Sequence, residues 1–161
     1  MKIEANKVDP LPVGKILSGL FVVTVTDGRE REGFLASWVQ QASFEPLMLS
    51  LAVGAGRPVL ERIQKTGRFC VNVIGHHNNG VMKPFWGQLK HGEDPFTGLT
   101  YEISERGNLL LPDAVAALEC ELRSTSQPGD HVIVFGEVVE TRLFQPEDKP
   151  FTHVRKTGAA Y

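Results

Sequence analysis

Four stretches of this chain carry residue types able to do chemistry on a small polar ligand. Gly33-Phe34-Leu35-Ala36-Ser37-Trp38-Val39-Gln40-Gln41-Ala42-Ser43-Phe44-Glu45-Pro46 starts as a strand and then turns small and polar. Short hydroxyl and amide side chains beside Ala36 and Ala42 let a ligand come close to the backbone, where N–H groups and hydroxyls face a planar ring or a phosphate. An edge strand running into a polar turn explains the same composition. Gly54-Ala55-Gly56-Arg57 lies between an apolar run and a helix-like one. Glycines at a helix N-terminus offer free N–H groups and the positive end of the dipole. Arg57 adds a planar fork suited to phosphate, although a plain loop with a solvated arginine fits equally well. Thr66-Gly67-Arg68-Phe69 brings a second arginine to a helix-to-strand junction, where it binds a phosphate or is solvated. Pro128-Gly129-Asp130 turns the chain directly before His131, so that the imidazole stands at a sheet rim, bound to a ligand or solvated.

Other chemistries find little support. The glycine loop has the outline of a dinucleotide fingerprint, but Val59 holds its sixth position and no acidic residue ends the next strand. His76-His77 are adjacent, so their rings point apart, and no spaced Cys/His or Glu-x-x-His set accompanies them. No metal site is expected. Cys70 and Cys120 sit in apolar runs outside any C-x-x-C pair and read as buried, reduced thiols. No serine has an activating partner in view, and no acid–base pair stands out. If the chain is an enzyme, a cofactor supplies the reactivity.

The elements that must position these residues are mostly strands. Gly19–Thr26 is rich in β-branched and aromatic residues, and Asp27-Gly28 turns it back towards an antiparallel partner over Gly33–Val39. Strands are further expected over Leu47–Val53, Arg68–Ile74, Leu99–Ile103, Leu118–Ser124 and His131–Phe144, the last with Gly136 as a candidate bulge or close-approach point. Pro58–Thr66 reads as a short helix, with proline at its first position and Gly67 as its stop. Shorter helical turns are expected over Val13–Leu17 and Pro112–Ala117. An arm or an edge segment is expected over residues 1–12, an irregular to helical stretch from His76 to Lys90, and a loop over His91–Gly98. Strands without intervening helices argue for an all-β antiparallel barrel or sandwich rather than a parallel α/β sheet.

Composition narrows the class. The chain has 161 residues, enough for a single domain over 1–161. With a net charge of −2 and no basic block, a nucleic-acid surface is not expected. No apolar run is long enough for a membrane span, and Met1-Lys2-Ile3-Glu4-Ala5 lacks the apolar middle of a secretion signal, so a cytoplasmic location is expected.

Taken together, the chain resembles the flavin reductase-like family of the FMN-binding split barrel, with its nearest likeness to the reductase module of flavodiiron proteins and their stand-alone relatives. The likeness rests on Ser18–Thr24, Gly33–Phe44, Thr66–Val73, Gly92-Glu93-Asp94-Pro95-Phe96, Leu118-Glu119-Cys120 and Gly129–Gly136, in the expected order and spacing. It implies a six-stranded antiparallel Greek-key split barrel holding FMN at a homodimer interface. By the same resemblance Ala36, Ser37, Trp38, Val39, Gln41, Ala42 and Ser43 would line the flavin, and Arg57, Arg68 and Phe69 would sit near its phosphate. His131 would stand where nicotinamide stacks. Many relatives carry Ser or Thr where this chain has Ala36, Val39 and Gln41. The activity implied is hydride transfer from NAD(P)H to bound FMN, with electrons passing on to a partner protein, free flavin or oxygen. The alternatives are an FMN electron-transfer module without NAD(P)H oxidation, and a β-barrel binding module without redox chemistry.

Overall fold

The computed structural model describes residues 8–87, 89–90 and 92–161. Residues 1–7 of the expected arm and His91 of the expected loop lie outside the described residues. Strand β1 (Phe21–Thr26) pairs antiparallel with β2 (Arg31–Ala36) around the Asp27 turn, where the Asp27 carboxylate accepts from the N–H groups of Arg29 and Glu30. The chain continues as β3 (Val39–Ser43), β4 (Met48–Gly54), the helix α1 (Pro58–Thr66) and β5 (Arg68–Val73). Two-residue strands β6 (Glu102–Ile103) and β7 (Leu109–Leu110) pair with each other, and the long strands β8 (Ala116–Ser126) and β9 (His131–Leu143) follow.

The seven long strands form one antiparallel sheet in the order β2-β1-β5-β8-β9-β4-β3. Its two terminal strands are consecutive in sequence and separated only by Ser37 and Trp38. Two residues span at most about 7 Å, so the sheet must curl until its edges meet. This is the split barrel. The expected single strand over Gly33–Val39 is in fact a run divided at this corner. β2 and β3 taken as one bent strand give the six strands of the family pattern. The link from β4 through α1 to β5 passes over one end of the barrel in the Greek-key manner.

α1 closes that end with Val59, Leu60 and Ile63 inward. Pro58 opens it, and Gly67 ends it at φ +68°, its N–H bonded to the Ile63 carbonyl. The interior holds Val23, Val25, Leu51, Phe69, Val71 and Val134. A second apolar layer covers the outer face of β1, where Val22, Met82, Phe85, Phe96 and Leu109 pack together. β1 is therefore buried on both faces. Gly136 fits because the Phe69 ring comes within 2.6 Å of where a Cβ would stand.

The helical turn expected over Pro112–Ala117 is a correction. Residues 112–115 form a tight turn, the Val115 N–H bonds to the Val73 carbonyl, and β8 starts at Ala116. The sheet's demand for partners overrides the proline signal. The strand expected over Leu99–Ile103 shrinks to β6. No described helix is long and apolar enough to cross a membrane, and no cluster of three or more His, Cys, Asp or Glu suited to a metal occurs among the described residues.

Candidate functional site

The corner at Ser37-Trp38 opens on one side into a cleft of about 470 Å³, within the usual range for a small-molecule site. Its floor is strand backbone with small side chains: Ala36 and Ser37 from the end of β2, Ala52 and Gly54 from β4. Small residues allow a flat ring to lie close to the sheet. Aromatic walls come from Phe34, Phe85, Trp86 and Phe151, and Arg57 enters from the loop before α1.

At the rim stands His131, opposite Gly54 in the β4–β9 register. The Ala55 N–H bonds to the Asp130 carbonyl, which ties the glycine loop to the start of β9. His131 Nδ1 lies 2.7 Å from an Asp130 carboxylate oxygen, and Nε2 contacts the Tyr161 hydroxyl. The carboxylate only accepts, so Nδ1 carries the hydrogen, and Nε2 of the neutral ring accepts from Tyr161. The bond from His131 holds the Asp130 carboxyl below its ordinary value. The Trp38 ring packs 4.8 Å from His131 and 5.4 Å from Tyr161.

The cleft has a positive character. Arg57 rests 5.1 Å over the Phe34 ring, and Arg155, only 8% exposed, rests 4.9 Å over Trp38. Among the described residues neither guanidinium has a carboxylate partner. Burial raises the Tyr161 pKa, while Arg57 and Arg155 pull it down and Asp130 pushes it up. An anionic ligand group entering here would meet Arg57 directly, with Arg155 behind the Trp38 ring adding to the positive field.

The expected site residues separate into groups. Ala36, Ser37, Trp38 and Arg57 line the cleft, and His131 flanks it through Trp38 and Tyr161. Val39, Gln41, Ala42 and Ser43 lie on β3, beyond the corner, and none of them lines the cleft. Gln41 and Ala42 are exposed. Arg68 lines a different, larger cleft that also reaches Arg57. Phe69 is fully buried against Gly136 and has no side-chain surface to offer a ligand. Strand alternation explains the split between Arg68 and Phe69, since neighbours on β5 point to opposite faces. Tyr161, Trp86, Phe151 and His153 were not foreseen. Tyr161 and His153 sit in an unpatterned tail, and only the fold brings that tail to the cleft. Cys70 and Cys120 are free and buried, with thiol pKa values raised by burial, that of Cys120 to about 12.

Residues 13–159 match the model of the flavin reductase like domain. The chain is 35% identical over 150 residues to diflavin flavoprotein A 1 of Synechocystis sp., an alignment covering 92% of this chain and 26% of that protein. The chain thus spans about a quarter of the length of such relatives. Among solved structures, the NADH:FAD oxidoreductase SgcE6 of Streptomyces globisporus C-1027 superposes with a TM-score of 0.83 at 27% identity, covering 96% of this chain and 95% of that one. The same enzyme in complex with NAD and FAD fragments superposes with a TM-score of 0.81 at 27% identity, covering 96% and 94%.

Proposed function

The chain belongs to the flavin reductase like family, and from that premise we propose that it is an oxidoreductase passing a hydride from NAD(P)H to bound FMN. The observation that carries this reading is the cleft at the sheet corner, with a flat small-residue floor, an unpaired cation at Arg57 and a clamped imidazole at its rim. The residues fit the group: the floor of Ala36, Ser37, Ala52 and Gly54 suits a planar ring, and Arg57 suits a phosphate. FMN, when bound, supplies the hydride-accepting chemistry.

The chain's own residues do the rest. Ala36, Ser37 and the Trp38 backbone hold the ring against the sheet. Arg57 neutralises the phosphate. His131, its tautomer set by Asp130, presents Nε2 towards Tyr161 and the cleft mouth, where it orients the nicotinamide. Trp38 and Phe85 exclude water from the floor. Reduced, buried thiols agree with a cytoplasmic location. Electrons then leave for an acceptor protein, free flavin or oxygen.

The test is optical. The purified protein should carry or take up FMN and turn yellow, and anaerobic NADH or NADPH should bleach it in a single turnover. A colourless protein that takes up no flavin would exclude the reading. A yellow protein that bleaches only with a reduced protein donor would make it an electron carrier instead.

A further inference from the structure

Tyr161 stands where the proposed chemistry needs room. It lines the cleft at its mouth, with its ring 5.4 Å from Trp38 and 5.9 Å from His131, and its hydroxyl donates to His131 Nε2. Asp130 fixes the hydrogen on Nδ1, so Nε2 of the neutral ring offers one lone pair and accepts one bond. A nicotinamide oriented by His131 would donate from its carboxamide to that same lone pair. It would also bring a flat ring to the mouth that the phenol ring now fills. Tyr161 and nicotinamide therefore exclude each other.

The phenol is lightly held, on a firm anchor. Tyr161 is 76% exposed, and among the described residues no backbone hydrogen bond involves Ala160 or Tyr161. Ala159 has only the bond from its N–H to the Thr157 hydroxyl, at 3.2 Å. Just before it the chain is pinned. The Gly158 N–H bonds to the Pro10 carbonyl at 2.7 Å, and a Cβ on Gly158 would stand 2.5 Å from the Val13 Cβ. Gly14 lies equally close on the Thr157 backbone, where a Cβ would meet it at 2.8 Å. Arg155 is buried over Trp38. Beyond Gly158, three residues reach about 10 Å. A pivot there lifts the ring clear of the cleft without moving the barrel.

We infer that Tyr161 is a displaceable gate on the nicotinamide place. It closes the mouth by holding His131 Nε2, and the nicotinamide carboxamide opens it by taking the same nitrogen. The inference rests on the flavin and nicotinamide reading above. A gate of this kind lowers the apparent affinity for nicotinamide by the fraction of molecules that are open. It also selects: a ligand that brings both a flat ring and a hydrogen-bond donor replaces Tyr161, whereas a phosphate or a sugar alone does not.

The experiment titrates FMN-loaded protein with NAD⁺, NADP⁺ and ADP-ribose by calorimetry. Tyr161→Phe keeps the ring and removes the donor, so the gate opens more often. The dinucleotide that the wild type takes should bind the variant about three- to tenfold tighter. ADP-ribose carries no nicotinamide and should gain nothing. In flavin-free protein, the nitrogen resonance of His131 Nε2 should shift in Tyr161→Phe, as loss of an accepted hydrogen bond requires. Weaker dinucleotide binding by the variant overturns the inference and makes Tyr161 a ligand of the nicotinamide. Unchanged affinity overturns it, and so does an unmoved His131 resonance. Equal gains for the dinucleotide and ADP-ribose also overturn it, by showing a general loosening of the mouth. A protein that takes up FMN but no dinucleotide overturns the inference and leaves flavin binding standing. A protein that takes up no flavin overturns both.

Discussion

Arg57 and His131 do different work, and the difference can be measured. Arg57 has no carboxylate partner among the described residues and rests only on the Phe34 ring. Arg57→Ala should therefore weaken FMN by about 1.5–3 kcal/mol, the usual range for a hydrogen bond to a charged group. Riboflavin, which lacks the phosphate, should bind both proteins alike. An equal loss for both ligands would show that Arg57 acts by packing. His131 stands beside the cleft without lining it, so its removal should leave FMN affinity nearly intact. His131→Ala should slow anaerobic flavin reduction at saturating NAD(P)H by roughly tenfold, or about 1.4 kcal/mol of barrier. An unchanged rate in stopped flow would leave the imidazole a rim residue without a part in the transfer. Ala36, Ser37 and Arg57 were open to an ordinary edge strand and a solvated loop in the sequence, and the fold brings all three to the lining of one cleft. Phe69 misled because it adjoins Arg68, while alternation along β5 sends it into the core. Tyr161 left no local sign at all. Its meeting with His131 is a product of the tail's path.

At the scale of elements, α1 was legible to the residue because both of its ends are chemical: Pro58 at the start and a left-handed Gly67 at the stop. The break between β2 and β3 was not. Ser37-Trp38 contains neither glycine nor proline, and the bend exists because the two halves pair with opposite edges of the sheet. The outer loop that packs on β2 has its own fastening. Asp94 accepts from Arg31 Nε at 3.1 Å and pairs with Nη2, while its other oxygen takes the Phe96 N–H at 3.0 Å. The bond from Arg31 holds the Asp94 carboxyl below its ordinary value. A carboxyl lowered in the folded state contributes stability above its unfolded value and loses it as pH falls through the folded one. Below about pH 4 this loop should loosen while the barrel still stands. Hydrogen exchange corrected for intrinsic rates should show protection at Phe96 and Leu99 falling as the pH drops below about 4. Asp94→Asn should already show the lower protection at neutral pH and lose that dependence. A wild-type profile as flat as the variant's would refute the assignment.

For the whole molecule, the exposed end of β3 bears on assembly. β2 and β3 are the terminal strands of the sheet. Beyond β3, Phe44 is 87% exposed and Leu47 43%. An apolar tip on an unpaired edge is a surface that proteins usually cover. Together with the four expected ligand residues on β3 that do not line the chain's own cleft, it supports the proposal of a homodimer in which β3 meets the partner. Light scattering should give twice the 17.8 kDa chain mass, and Phe44→Asp should shift the protein towards monomer with weakened FMN binding. A stable monomer of full FMN affinity would rule the dimer out. The two-residue strap between β2 and β3 has one more consequence. It is the barrel's fastener, and it is also the floor of the ligand cleft. A ligand seated there bridges Ala36 of one sheet edge and Ala52 of β4, next to the other, acting as a removable staple across the seam. Occupancy should therefore raise the melting temperature by mass action. It should also slow amide exchange in β2 and β3 together, though the two strands share no hydrogen bond, so that loss of flavin and opening of the barrel become one event.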